Sequence, residues 1–440
     1  MQHETAVEEI RAMTPARASS ERFIPVDRHE IHDKLLSSGI WAPHEQRDAQ
    51  TVLSYIARLR QQDSLINLDE LSTLYDDFNP DDETINDPAR DAEDKTEKLK
   101  LLTLRLRALF ESANFTSINE QQLEKILKEA SPSGVEVDVD LTEFDLTILY
   151  FRGDSRDIRS RRDWDTFFLE KTYVVDVFRR FVMAVKLKSA ESRIAEIMEK
   201  EKISRQKAEK RLKKLRASLP KGVSSDKVYI KMFKYIPQQD LEMLFPNTKI
   251  KLRYWDKVRL WITAGGGTAA GIFTTATKVL ATAALSPILL AMALFGLIGV
   301  IFRQVMNLIN TRTKYMMQLA QNLYFHNLAN NQSVLALLID EAEEENIKEE
   351  ILLYTALLKG SQTPGQLQRA KLDVEAFLKA HWNVIVDFDV HDAFRRLRED
   401  GLVSGDPDGI ITVMPLAEAK NHLWERWVGL LNKSATPLAA

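Results

Sequence analysis

Over residues 28–130 apolar positions return every three to four residues, the spacing of amphipathic helices. Val52, Leu53, Ile56 and Leu59 make one such face, and Leu101, Leu102, Leu104, Leu106, Leu109 and Phe110 a denser one. The run Asp76-Asp77-Phe78-Asn79-Pro80-Asp81-Asp82-Glu83, with Asn86-Asp87-Pro88, has the composition of a solvated loop between them; it lacks the glycine and terminal glutamate of a calcium loop. After Pro132 the period changes. Glu143 to Phe151, Tyr173 to Leu187, Val228 to Ile236 and Lys249 to Tyr254 interleave Val, Ile, Phe and Tyr with polar residues and predict one antiparallel sheet. A charged helical insertion, Ala190 to Leu219, interrupts the strands, with Ile194, Ile197, Met198, Leu212 and Leu215 as its packing stripe.

From Leu260 to Phe302 the only charge is Lys278. A single helix of that length is about twice the roughly 30 Å hydrocarbon core, so two crossings are expected, near 259–284 and 287–306, turning at Leu285-Ser286-Pro287. Gly267 and Gly271 have the spacing for close helix packing inside the hairpin. Lys249, Lys251, Arg253, Lys257 and Arg259 before it, and Arg303, Arg312 and Lys314 after it, place both flanks on the cytoplasmic side.

Beyond the run, Arg303 to Asn330 reads as a helix, broken at Asn330-Asn331, and Ser333 to Lys359 as a second helix. The latter carries Asp340, Glu341, Glu343, Glu344, Glu345, Glu349 and Glu350, which predict an acidic interaction face or a solvated one. Thr363 to Lys433 looks like a winged helix. One helix is marked by Leu367, Ala370, Val374, Phe377 and Leu378, a second by Val390, Ala393, Phe394 and Leu397 between an Asp389 cap and Gly401, and a wing strand by Ile410 to Met414.

The expected fold is α+β and mostly helical. It comprises a disordered tail (1–20), an N-terminal helical region (21–130), a β-rich domain (131–256) with a charged helical insertion (190–219), a two-helix transmembrane hairpin (257–306), a helical segment with an acidic face (307–360), a winged-helix-like domain (361–433) and a short tail (434–440).

Charge refines the picture. Net charge is -4, yet residues 1–100 are acid-rich and residues 186–259 carry 21 Lys and Arg against 9 Asp and Glu. The basic insertion therefore predicts contact with an anionic lipid surface. Its lack of aromatic residues argues against single-stranded nucleic acid. The C-terminal segment carries 9 Lys and Arg against 11 Asp and Glu, so contact with a protein, or with a second copy of the chain, is expected rather than DNA reading. With no cysteine, thiolate zinc sites, iron-sulfur clusters and Cys nucleophiles are excluded. There is no P-loop, GxSxG or HExxH, and His29, His32 and His44 lack a strong further ligand, so neither cofactor nor metal is expected.

The junction Lys231-Met232-Phe233-Lys234-Tyr235-Ile236-Pro237-Gln238-Gln239-Asp240-Leu241-Glu242-Met243-Leu244-Phe245-Pro246 resembles the signature of a domain-of-unknown-function family. That family includes the animal membrane protein called transmembrane protein 143. ERFIPV at Glu21 to Val26, Asn79-Pro80-Asp81, FESANF at Phe110 to Phe115, YFRG at Tyr150 to Gly153, NLYFHNLANN at Asn322 to Asn331, LIDEAEEE at Leu338 to Glu345 and FDVHDAFRRLREDGLV at Phe388 to Val403 look like further family positions. The resemblance implies a paired membrane segment between soluble parts and no established reaction. With no transit-peptide pattern at the start, a bacterial cytoplasmic membrane with both termini cytoplasmic is expected.

Pro237 can start a short helix whose first turns hold Asp240 and Glu242, where carboxylates favour the dipole. Lys231, Phe233, Lys234, Pro237, Asp240, Glu242 and Pro246, with Asp340, Glu343 and Glu344, are the candidate interaction residues. The leading expectation is a membrane-anchored interaction or regulatory protein. The alternative is an enzyme on a lipid or membrane-proximal substrate, with Asp240 and Asp340 converging as acid and base.

Overall fold

The computed structural model describes residues 21–81, 92–128, 135–162, 170–217, 219–220, 222–246, 249–252, 324–361 and 363–434, with isolated positions between 299 and 317. Helix α1 (Arg28–Ser37) is capped by Asp27, whose carboxylate accepts the His29 N–H at 2.7 Å. Helix α2 (Gln46–Asp76) buries Ala49, Val52, Leu53, Ile56 and Leu59 in its first half and Leu71 and Tyr75 near its end. Helix α3 (Ala92–Ser112) stops where Asn114 takes φ +60° and the Phe115 N–H reaches back to the Phe110 carbonyl at 2.9 Å. This is the left-handed helix end that asparagine tolerates better than other side chains.

A five-stranded antiparallel sheet follows, in the order β1 (Thr116–Ser117), β3 (Phe144–Arg162), β4 (Glu170–Leu187), β5 (Tyr229–Pro237) and β7 (Asn327–Asn330). Alternation along the strands sorts its two faces. Ile148, Tyr150, Val182, Ala184, Ile230 and Met232 pack against α2, α3 and helix α7 (Gln332–Lys359). Leu149, Phe181, Met183, Val185 and Phe233 face the other way, toward Leu123 of α4 (Glu120–Lys128) and toward Leu241, Leu244 and Phe245, which lie on or just after a 3-10 turn, Gln238–Leu244. Strands β2 (Val135–Asp138) and β6 (Lys249–Leu252) form a separate ribbon, so the expected single sheet is two. The charged insertion is two helices, α5 (Ala190–Glu201) and α6 (Arg205–Arg216), broken where Lys202 turns left-handed at φ +51°.

The C-terminal module holds α8 (Gln366–Trp382), α9 (Val390–Glu399), a hairpin of β8 (Val403–Gly405) and β9 (Ile411–Val413), and α10 (Leu416–Ser434). Asp389 caps α9, Gly401 follows it at φ +75°, and the Leu402 N–H closes the end on the Leu397 carbonyl at 2.9 Å.

Two sequence expectations are corrected. Among the described residues no helix is long and apolar enough to cross a membrane. The transmembrane hairpin over 257–306, its packing through Gly267 and Gly271, and integral placement in a bacterial cytoplasmic membrane are therefore not supported. Nearly all of that segment, including both glycines, lies outside the described residues. Within the first expected crossing scarcity of charge is a weaker criterion than apolar content, because the Gly, Ala and Thr that make up most of Ala264 to Thr277 add little transfer free energy. The helix expected to run to Asn330 also gives way, since Asn327–Asn330 is strand β7, paired with β5.

Helices α2 and α7 each run through two hydrophobic cores. The first gathers Ala49 to Leu59, Ile347 to Leu357, residues 24–41 and the C-terminal module. The second gathers Leu71, Tyr75, α3, one face of the sheet and Val334 to Ala342. Where the two cores meet, both helices carry charged residues among the apolar ones.

Candidate functional site

Those charged residues build a polar layer across the molecule. On α7, Glu345, Lys348, Glu349 and Glu350 are all buried. The Glu349 carboxylate is shared. Its Oε1 accepts from Asn114 Nδ2 at 2.9 Å and its Oε2 from Arg396 Nη2 at 2.5 Å, so one side chain joins the end of α3 to the C-terminal module. Arg396 also donates from Nε to Glu350 Oε1 at 2.7 Å and pairs with Asp392. Glu350 Oε2 lies 3.3 Å from Nε of Arg60 on α2, which in turn pairs with the buried Asp400. Asp400 meets Arg426 at 2.8 Å, and its carbonyl takes the His422 ring nitrogen at 2.7 Å.

The layer also fastens the segment before α1. Glu345 accepts the Ile24 N–H at 3.0 Å and Asn114 Nδ2 at 3.3 Å, while Lys348 pairs with Glu345 and donates to the Ile24 carbonyl at 2.8 Å. Phe23 then lies against the Arg152 guanidinium at 4.1 Å, with Phe115 at 4.7 Å from the same group. Arg152 donates to the Ala113 carbonyl at 3.0 Å and pairs with Glu341 at 2.8 Å.

Burial pushes Glu349 up to about 7 against the pull of Arg396 and Asn114, and burial likewise pushes Glu350 up to about 7 against Arg60 and Arg396. Glu345 is raised by burial as well, in spite of Lys348. Burial works against the charge on Arg396, but Glu349, Glu350 and Asp392 outweigh it and hold the guanidinium above its ordinary value. Each perturbed carboxylate therefore faces a protein cation. This arrangement is suited to locking elements together rather than to moving a substrate proton.

An open cleft of about 680 Å³ lies beside the layer, lined in part by Leu71, Leu74, Leu101, Leu109, Ile339 and Asn346. Several charges at its rim are paired with protein, Arg105 with Glu70 at 3.6 Å, Lys98 with Asp77 at 2.9 Å and Glu343 with Arg28 at 3.0 Å. Among the described residues no group of three or more His, Asp or Glu could hold a metal ion.

The junction residues have other roles. Lys231 is exposed on β5, Phe233 is core, and the Lys234 carbonyl takes the His326 Nδ1 at 2.8 Å. Pro237 ends β5, Asp240 is half-buried on the 3-10 turn, Pro246 follows that turn half-buried, and the Glu242 side chain lies outside the described residues. Asp340 is exposed on α7, while Glu343 pairs with Arg28 and Glu344 lies 3.7 Å from Lys348. Asp240 and Asp340 sit on opposite sides of the sheet, because the 3-10 turn packs on one face and the first half of α7 on the other. They do not form an acid and base pair. The acidic face expected on α7 is in part a buried one, with Glu341, Glu345, Glu349 and Glu350 turned to arginines and a lysine.

The fold and site define an α+β protein in which a buried ionic layer joins two of the hydrophobic cores. A family model described as "Protein of unknown function (DUF3754)" matches residues 144–333, from the start of β3 into the first turn of α7, so a domain of that family spans four of the five strands of the sheet and the insertion. No solved structure matches the chain.

Proposed function

We propose that this chain is a non-enzymatic interaction or regulatory protein whose C-terminal module takes a protein partner. The observation that carries the reading is the surface of that module, where Leu372, Ile385, Ile410 and Trp424 are each more than half exposed. Contiguous apolar groups left in water mark surfaces that another protein covers, and we take these four as one such patch. DNA is the less suited partner. Helix α9 is turned inward by Arg396, and the β8–β9 turn carries Asp406 and Asp408, which repel phosphate. Through Arg396 and Glu349 a load on the module reaches α3 and the sheet, which gives the partner a route to the DUF3754 domain. Kinship with the family that includes transmembrane protein 143 is part of this proposal. It rests on the sequence segments alone and carries no membrane role with it.

The test places a photo-crosslinking residue at Leu372, Ile385, Ile410 or Trp424 of the whole chain in cells. A discrete adduct of one mass is expected at one or more of these positions. Absence of a discrete adduct at all four contradicts the proposal.

A further inference from the structure

The α5–α6 hairpin between β4 and β5 has its own small core, Ile197, Ala208 and Leu212, with Ile194, Met198, Ile203 and Leu215 against it. It is pinned to the rest of the chain by charge. Arg193 reaches Glu143 at 2.6 Å, Glu196 at 2.9 Å and Asp140 at 3.1 Å; Arg216 reaches Glu143 at 3.3 Å and the Lys188 carbonyl at 2.8 Å. The other two arginines are engaged as well, Arg205 with Glu209 at 3.1 Å and Arg211 with Glu201 at 3.5 Å.

What is left over is lysine. Lys200, Lys202, Lys207, Lys210, Lys213 and Lys214 are exposed and make no ion pair among the described residues, against the unpaired acids Glu191 and Glu199. Lys213 and Lys214 lie in the last turn of α6, where the helix dipole favours cations. Lys207 and Lys210 have no such reason. With Lys214 they form a row at spacings of three and four, which repels itself and disfavours the helix. Among the described residues no carboxylate of the hairpin pairs with that row, which leaves it open to an external anion.

We propose that this lysine face docks on an anionic lipid surface. Three observations select that occupant. The arginines, which would grip single phosphates of a nucleic acid through paired N–H groups, are already taken by carboxylates, and the hairpin has no aromatic residue for base stacking. No large apolar side chain on the hairpin is exposed, so it lacks the apolar centre on which a protein partner would seat. Lysine ammonium groups spread along α6 suit a diffuse field over a broad anionic surface, which they join without inserting. Docking of this kind is peripheral and requires no helix that crosses a bilayer.

The experiment is sedimentation of the whole chain with vesicles of phosphatidylcholine containing phosphatidylglycerol, and with phosphatidylcholine alone. Binding to the anionic vesicles that weakens with added salt is expected, each lysine contributing about fivefold. The triple change Lys207→Gln, Lys210→Gln and Lys214→Gln then lowers partition on the order of 100-fold at a melting temperature no lower than the original, and the matching Arg variants restore it. Equal partition onto both vesicle types, an unaffected Gln variant, or binding only to an RNA duplex or an acidic protein overturns the proposal.

Discussion

Arg396 Nη2 donates to Glu349 Oε2 at 2.5 Å, and this contact joins the C-terminal module to the helix that also carries the sheet domain. The other Glu349 oxygen is held by Asn114, so each carboxylate oxygen has a protein donor. Closure on both sides is what makes a buried charge tolerable, because the ion's lost hydration is replaced by fixed donors.

Replacing Arg396 with Met fills similar space but strands Glu349 without its cation and leaves Glu350 with Arg60 alone. A loss of about 3–5 kcal/mol is expected, the usual cost of removing one partner of a buried ion pair. Urea unfolding of the two proteins checks it, and Glu349→Gln added to the Met variant should recover part of the loss.

Stability should depend on pH in a definite direction. Glu349 and Glu350 ordinarily titrate near 4.5 but are pushed up to about 7, so between those values the folded chain holds protons that the unfolded chain releases. This contribution is fully present below 4.5 and is lost as the pH rises through 7, with a slope of up to about 1.4 kcal/mol per pH unit for each carboxylate. Asp392, Glu196 and Asp226 have lowered values and act the other way, losing their contribution only as the pH falls below the ordinary carboxylate range. Denaturant titrations at about pH 5 and about pH 7.5 should show higher stability at the lower value, and Glu349→Gln with Glu350→Gln should flatten the difference.

Asn114 does two things, and two substitutions separate them. Glycine keeps the φ of +60° but removes the donors to Glu345 and Glu349, so its cost reports the hydrogen bonds, about 1.5–3 kcal/mol for bonds to charged groups. Alanine loses the same donors and adds about 1–2 kcal/mol for a side chain forced left-handed. Thermal melts should rank wild type above Gly and Gly above Ala.

The hairpin should come loose as a unit when its anchor is cut. Glu143 is buried and meets both Arg193 and Arg216, so Glu143→Gln removes the one carboxylate that both arginines share and weakens the hold on the two helices. Faster hydrogen exchange is expected over residues 190–216 and unchanged exchange in α7.

Local signals in the sequence were enough for much of this architecture. Val52, Leu53, Ile56 and Leu59 lie buried along α2, and the Asp389 cap and Gly401 stop bound α9, because periodicity and caps depend on residues a few positions apart. The polar layer depends on partners such as Ile24 and Glu345, far apart in the chain, which no local pattern reveals. A clue was present on α7. Lys348, Glu349 and Glu350 sit between Ile347 and the run Ile351, Leu352, Leu353, leaving no solvent-facing stripe for the charges. Reading those acids by their number alone made them a surface, whereas the apolar residues on every side of them required burial and therefore cations. The charge-poor run from Leu260 was read by its missing charges, and over its Gly-, Ala- and Thr-rich part, Ala264 to Thr277, that count overstates the apolar content.

The most direct test of the polar layer as the joint between the two cores is a double-mutant cycle between Asn114→Gly and Arg396→Met. These residues do not pair with each other but hold opposite oxygens of Glu349. A coupling free energy of at least about 1 kcal/mol in urea unfolding is expected if the carboxylate transmits between them. Additivity to within about 0.5 kcal/mol would contradict it and leave the two cores as independent neighbours.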